Sequence, residues 1–180
     1  MQAGGTWLGV GTGDAHGRLA ALTNYRSAAP ARLDTPSRGN LVMDFLQSPL
    51  DAIGYLQALQ THAGDYNPFN LLVYDGKTLL GLESRQANIV HLQPGIGAVS
   101  NADFNTPWPK LRQISACLAG YTQSGVSDDP QLWALLQDRM FADNAQLPNT
   151  GLPLVQERSL SAAFIALPKY GTRACSVVRI

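Results

Sequence analysis

The sequence predicts an α+β protein, built of antiparallel sheets with helices segregated to their outer faces. Three observations carry this expectation. Strand-like and helix-like runs follow one another in blocks, ββ, αα, ββββ, αα, ββ, and this disfavours a doubly wound parallel sheet. An Asp75-Gly76 pair between two apolar β-type runs marks a tight hairpin. The 180 residues are 45% apolar and only 14% charged, whereas an ordinary domain is about 25% charged. A sizeable core is therefore expected.

The first hairpin pairs β-type residues 6–10 with a return strand at 19–25, joined by the turn-rich residues 11–17. Residues 27–39 hold two prolines and a glycine and read as a loop. Leu41, Val42, Phe45 and Leu46 recur at helical spacing. A second helix is expected over 50–61, with Ser48 as N-cap and Pro49 at its first position. Its apolar face would be Ala52, Tyr55, Leu56 and Leu59, and Gly54 would cost about 1 kcal/mol relative to alanine. After a loop at 63–70, strands are expected at 71–74, 78–84, 88–92 and 97–101.

Two more helices follow. Residues 107–123 place Leu111, Ile114, Leu118 and Tyr121 on one stripe. Residues 129–141 do the same with Leu132, Leu135, Leu136 and Met140, capped by Asp128 or Asp129 ahead of Pro130. Residues 141–153 read as irregular, and β-runs are expected at 160–166 and 174–180. Both chain ends would then be uncovered apolar strand edges. The isolated chain is expected to aggregate or to stay molten.

Composition excludes several classes. Net charge is zero and no basic cluster exceeds two residues, so capture of nucleic acid or of an anionic membrane is not expected. Zero net charge favours self-association, which leaves a homo-oligomer open. No run of eighteen apolar residues predicts a membrane span, and no signal peptide opens the chain. A cytoplasmic, reducing setting is the resulting expectation. Cys117 and Cys175 are too few for a disulfide scaffold and read as buried structural residues. His16, His62 and His91 are dispersed, so no metal site is expected. There is no G-x-S-x-G, no phosphate-binding glycine loop and no dinucleotide fingerprint.

Several stretches together resemble one family. They are Gly4-Gly5-Thr6-Trp7-Leu8-Gly9, Ala21-Leu22-Thr23-Asn24-Tyr25-Arg26, Ser37-Arg38-Gly39, and Tyr66 with Phe69-Asn70-Leu71-Leu72. Ser100-Asn101, Thr106-Pro107-Trp108-Pro109-Lys110-Leu111, Glu157-Arg158-Ser159-Leu160-Ser161 and Tyr170-Gly171-Thr172-Arg173 continue the series in order. The chain is similar to the NRDE, or transport and Golgi organisation 2, family over nearly its whole length. The resemblance implies an αββα sandwich of the N-terminal-nucleophile hydrolase type. There a terminal Cys, Ser or Thr attacks a carbonyl and its own amine serves as base. The family's Met-Cys start and Asn-Arg-Asp-Glu segment are not matched, since Met1-Gln2 leads into Ala3, and the family continues beyond its YGTR stretch. The expectation is a single partial domain over 1–180, inactive in this form.

Three residues are then implied as the polar groups of a catalytic pocket. Asn24 ends a strand and reads either as an oxyanion donor or as an Asx-turn residue. Asn101 resembles a pocket-lining asparagine or, equally, a strand-end turn. Arg173 could hold a carboxylate or orient the nucleophile, or form a surface ion pair. Arg38 reads better as a cap or loop anchor. Trp7, Tyr25, Arg26 and Trp108 are candidate pocket walls, although both tryptophans also read as packing residues.

Two functions remain open on these residues. One is an amide or thioester hydrolase or acyltransferase, acting on a small acyl compound without a cofactor. The other, implied by the resemblance, is a non-catalytic carrier of haem, acyl-coenzyme A or lipid. The sequence holds no Cys-x-x-Cys-His and no distinguished histidine for haem.

Overall fold

A computed structural model describes residues 4–12, 17–124 and 129–180. The chain divides into two compact units, Met1–Phe104 and Asn105–Ile180.

The first unit is a five-stranded antiparallel sheet with helices, a mixed α+β arrangement as the block order predicts. Its strands are β1 (Leu8–Val10), β2 (Leu19–Asn24), β3 (Phe69–Tyr74), β4 (Leu79–Glu83) and β5 (Asn88–His91), in spatial order β1-β2-β3-β4-β5. The helices α1 (Gly39–Gln47) and α2 (Ala52–Gln60) lie in the connection between β2 and β3. Cross-strand partners share a face. Ala20 opposite Val73, Leu22 opposite Leu71, and Leu71 opposite Leu82 therefore form one apolar face. Leu41, Val42 and Phe45 of α1 and Ala52, Tyr55, Leu56 and Leu59 of α2 bury that face. Arg18 ties the start of β2 to the end of α1. Its Nη2 donates to the carbonyls of Phe45 at 3.0 Å and Leu50 at 2.8 Å, and its guanidinium lies 4.2 Å from the Phe45 ring centroid.

The second helix starts later than expected. Ser48 Oγ accepts from Leu50 N, and the cap is Asp51, whose Oδ1 accepts from Gly54 N at 2.8 Å. Asp51 is extended, so its carboxylate reaches the first turn. A Cβ on Gly54 would stand 2.9 Å from that oxygen, so alanine is not the simple improvement its propensity suggests. The turn at Asp75 forms as expected. The Asp75 carboxylate accepts from Lys77 N and Thr78 N and, across to α2, from Ala52 N. β3 begins two residues earlier than the apolar run suggests, taking in Phe69 and Asn70.

Residues 97–101 are not a strand. Asn101 uses its backbone carbonyl and side-chain amide on the end of β2 rather than in a ladder. The middle block therefore holds three strands instead of four. Of the connection at 11–17, residues 13–16, His16 among them, lie outside the described residues, and so does Asp128.

The second unit contains α3 (Pro109–Ser124), α4 (Asp129–Leu136) and α5 (Leu154–Ser159). Leu111 is buried, while Ile114, Leu118 and Tyr121 are half-buried. The expected extension of α4 to 141 does not form. Asp138 Oδ1 accepts from Met140 N, its Oδ2 accepts from Gln113 Nε2, and Met140 is 74% exposed. The two expected strands near the end are absent as well. α5 takes up Glu157-Arg158-Ser159, and pairing beyond it is limited to one bridge between Ala166 and Gly171. Around that bridge Thr172 N donates to Ile165 O, and Thr172 Oγ1 accepts from Ile165 N. An apolar β-type run becomes a strand only with a ladder partner, and 174–180 form no strand here. Cys117 is exposed and Cys175 half-buried, contrary to the buried role expected for both. Cys117 lines a cleft of about 550 Å³ with Gln113, Tyr121, Leu132 and Leu135.

Candidate functional site at one end of the sheet

Four strands of the first unit end in polar residues on the same edge. The register sets Thr23 opposite Asn70, Asn70 opposite Glu83, and Glu83 opposite Asn88. This row lies on the face opposite the helix-covered core. Asn70 and Glu83 are nonetheless buried, at 1% and 7% exposure. Burial of such groups requires partners. Asn70 Nδ2 donates to Ala102 O at 2.8 Å and to Thr23 Oγ1 at 3.3 Å. Glu83 Oε1 accepts from Phe104 N and its Oε2 from Asn88 Nδ2, both at 2.8 Å.

Two of the residues singled out from sequence meet at this end of the sheet, Asn24 through its backbone, since the register puts its side chain on the face of Leu22 and Phe69 and not on that of the row. Asn24 is the last residue of β2, opposite Phe69. Asn101 Nδ2 donates to the Asn24 backbone carbonyl at 2.8 Å, and Asn101 O accepts from Arg26 N at 2.7 Å. Asn101 Oδ1 accepts from Ser100 Oγ at 3.3 Å. The side-chain oxygen of Asn24 is buried with no hydrogen-bond partner, and so is that of Asn70. Such an atom costs about 1–3 kcal/mol until a donor reaches it. The Asn24 side chain makes no Asx turn among the described residues. The Asn101 amide nitrogen carries a second N–H beyond the one given to Asn24 O.

The margin of the site is cationic. Arg85 lies 4.5 Å from the Tyr25 ring centroid. Tyr25 N and Arg38 Nη1 both donate to Pro68 O at 3.0 Å, so Arg38 anchors the loop ahead of β3. Burial lowers the Arg38 pKa from its ordinary value, but the guanidinium stays charged. Arg32 straps the same loop by donating to Gly64 O and Tyr66 O. Burial, and then the charges of Asp44 and Asp65, raise the Tyr66 phenol, which keeps it neutral.

The other sequence candidates fall elsewhere. Trp7 is 51% exposed, so it does not pack as expected, although its carbonyl accepts from Leu22 N. Trp108 and Arg173 belong to the second unit, where Trp108 is buried and Arg173 is exposed. Asn70 and Glu83 were missed by sequence reasoning. The available signal was a polar residue within one apolar run, Phe69-Asn70-Leu71-Leu72, and one closing another, Leu79-Leu80-Gly81-Leu82-Glu83. Among the described residues, no group of three or more His, Cys, Asp or Glu side chains could hold a metal ion.

Fold and site together define an α+β protein that gathers side-chain amides and arginines at one end of an antiparallel sheet. A family model described as Transport and Golgi organisation 2 matches residues 1–180. The Transport and Golgi organization 2 homolog of Mus musculus is 32% identical over 195 residues, covering 99% of this chain and 68% of the relative. The Transport and Golgi organization protein 2 homolog of Bos taurus is 34% identical over 199 residues, with the same two coverages of 99% and 68%. That of Homo sapiens is 32% identical over 199 residues, again at 99% and 68%. The chain belongs to the Transport and Golgi organisation 2 family. Among the described residues no helix is long and apolar enough to cross a membrane.

Proposed function

We propose that the Asn24 and Asn101 amides hold the carbonyl oxygen of an acyl substrate, in an amide or thioester hydrolase or acyltransferase of the N-terminal-nucleophile type. The observation that supports this is the 2.8 Å hydrogen bond from Asn101 Nδ2 to the Asn24 carbonyl. It brings the Asn101 side-chain amide to the backbone of Asn24, where the Asn101 carbonyl also accepts from Arg26 N. In this reading the sheet, with α1 and α2 outside it, is half of an αββα sandwich. A terminal Cys attacks the carbonyl and its α-amine takes the thiol proton. The asparagine N–H groups then stabilise the oxyanion. Met1-Gln2 supplies no such nucleophile, and both cysteines lie in the second unit. The nucleophile in this proposal is the cysteine that follows the initiator methionine in the family the chain resembles, and neither Cys117 nor Cys175 is given that role. That Cys117 and Cys175 are both free fits a cytoplasmic setting.

The test uses protein that carries such a terminal cysteine, assayed for thiol release from an acyl thioester and for amine release from an acyl p-nitroanilide. The expected result is turnover that Asn24→Ala lowers by about 10²–10³ in kcat, as loss of an oxyanion donor does. The relatives are named for transport and Golgi organization, which supports a second reading as a carrier, here proposed for haem, acyl-coenzyme A or lipid. Stoichiometric binding that survives removal of the first cysteine, with no product from any acyl substrate, would support the carrier and overturn the hydrolase.

A further inference from the structure

We infer that Asn70 and Glu83 are positioning residues that fix Asn101 by clamping the segment just after it. The two side chains are neighbours in the register and share a sheet face. Each reaches one backbone group of that segment. Asn70 Nδ2 holds Ala102 O, and Glu83 Oε1 holds Phe104 N, each at 2.8 Å. The bonds lie two residues apart and run in opposite senses, one to a carbonyl and one to an N–H. Together they fix both the position and the direction of the strand-less backbone at 102–104.

A third contact completes the clamp. Gly81 lies on the same face as Glu83, and a Cβ there would stand 2.5 Å from the Phe104 ring. The missing side chain leaves room for that ring against the sheet. Asn101 immediately precedes this segment, and it reaches Asn24 O and Arg26 N from there. A buried carboxylate and a buried amide are expensive to keep in place of apolar residues. Thr23 Oγ1 accepts a further bond from Asn70 and Asn88 Nδ2 donates one to Glu83, while the Asn70 side-chain oxygen has no partner.

This inference rests on the oxyanion reading only for what the positioned amide does. Its test needs no substrate, so the two can fail separately. Hydrogen exchange is followed by NMR at the Arg26 amide, which bonds Asn101 O, and at Ala20 and Val73 in mid-sheet. Glu83→Met and Asn70→Leu keep side-chain bulk but remove the acceptor and the donor. Each is expected to speed exchange at Arg26 by about tenfold or more, with Ala20 and Val73 within about twofold. The Asn101 side-chain amide signal is expected to move with it. Glu83→Gln keeps an acceptor for Phe104 N and is expected to leave Arg26 within about twofold of the parent. Unchanged exchange at Arg26 in Glu83→Met and Asn70→Leu would overturn the clamp. So would acceleration shared equally by Ala20 and Val73, because that would make the row a general support of the sheet.

Discussion

Asn101 and Asn24, 77 residues apart in sequence, are joined by a hydrogen bond from the Asn101 side-chain amide to the Asn24 backbone carbonyl at 2.8 Å. The bond ties the chain after β5 to the end of β2. Asn101→Ala removes the donor and leaves the carbonyl partly buried without it. The expected loss of stability is about 0.5–1.5 kcal/mol, the ordinary net value of such a bond. Urea unfolding of Asn101→Ala against the parent measures it. A change near zero would mean that solvent replaces the bond at no cost.

The cap of α2 gives a sharper contrast. Asp51→Ala removes the side chain that accepts from Gly54 N and is expected to cost about 1 kcal/mol. Ser48→Ala touches only a turn ahead of the helix and should stay within about 0.5 kcal/mol. Paired denaturation curves decide between the two residues.

Asp75 links acid stability to the turn between β3 and β4. Burial alone would raise its carboxyl, but the backbone N–H groups of Ala52, Thr78 and Lys77 outweigh that and hold it below the ordinary 3.8. A depressed folded pKa adds stability above the unfolded value, and that stability is lost as pH falls through the folded value. The parent should therefore exceed Asp75→Asn in stability at neutral pH, and the gap should close well below 3.8. Thermal unfolding of both proteins across that range checks the sign.

The two units differ in how deeply they bury apolar groups. Phe45 has 0% exposure, and Phe45→Ala is expected to cost about 3–5 kcal/mol. Met140 is 74% exposed, and Met140→Ala should stay within about 0.5 kcal/mol. Chemical denaturation of the two variants reads the difference.

The helices and strands of the first unit were legible because their patterns are local. Leu41, Val42 and Phe45 have helical spacing, and Asp75-Gly76 announces its own turn. What escaped depends on partners. Residues 97–101 and 160–166 carry β-type side chains, but no ladder takes them up. Asp51 outcompetes Ser48 as a cap because it, rather than Ser48, sits one residue before the first helical turn. The meeting of Asn24 and Asn101 follows from the fold, although each residue drew notice as a strand-end asparagine. Asn70 hides inside one apolar run and Glu83 at the end of another, and the register sets them side by side.

Cys117 tests the second unit independently. It is exposed on α3, whereas Cys175 is half-buried with its Sγ 3.7 Å from Leu136 O. A disulfide reagent should modify Cys117 well before Cys175. Equal rates in the Cys117→Ser and Cys175→Ser single-thiol variants would contradict the burial difference.

The joining of Asn24 and Asn101 at one end of the sheet is tested most directly by NMR on protein labelled at asparagine. Nuclear Overhauser contacts are expected from the Asn101 side-chain amide protons to the α-protons of Asn24 and Tyr25, together with slow exchange of one of those amide protons. An Asn101 amide with free-peptide shifts, rapid exchange and no contact to β2 would contradict the site as a whole.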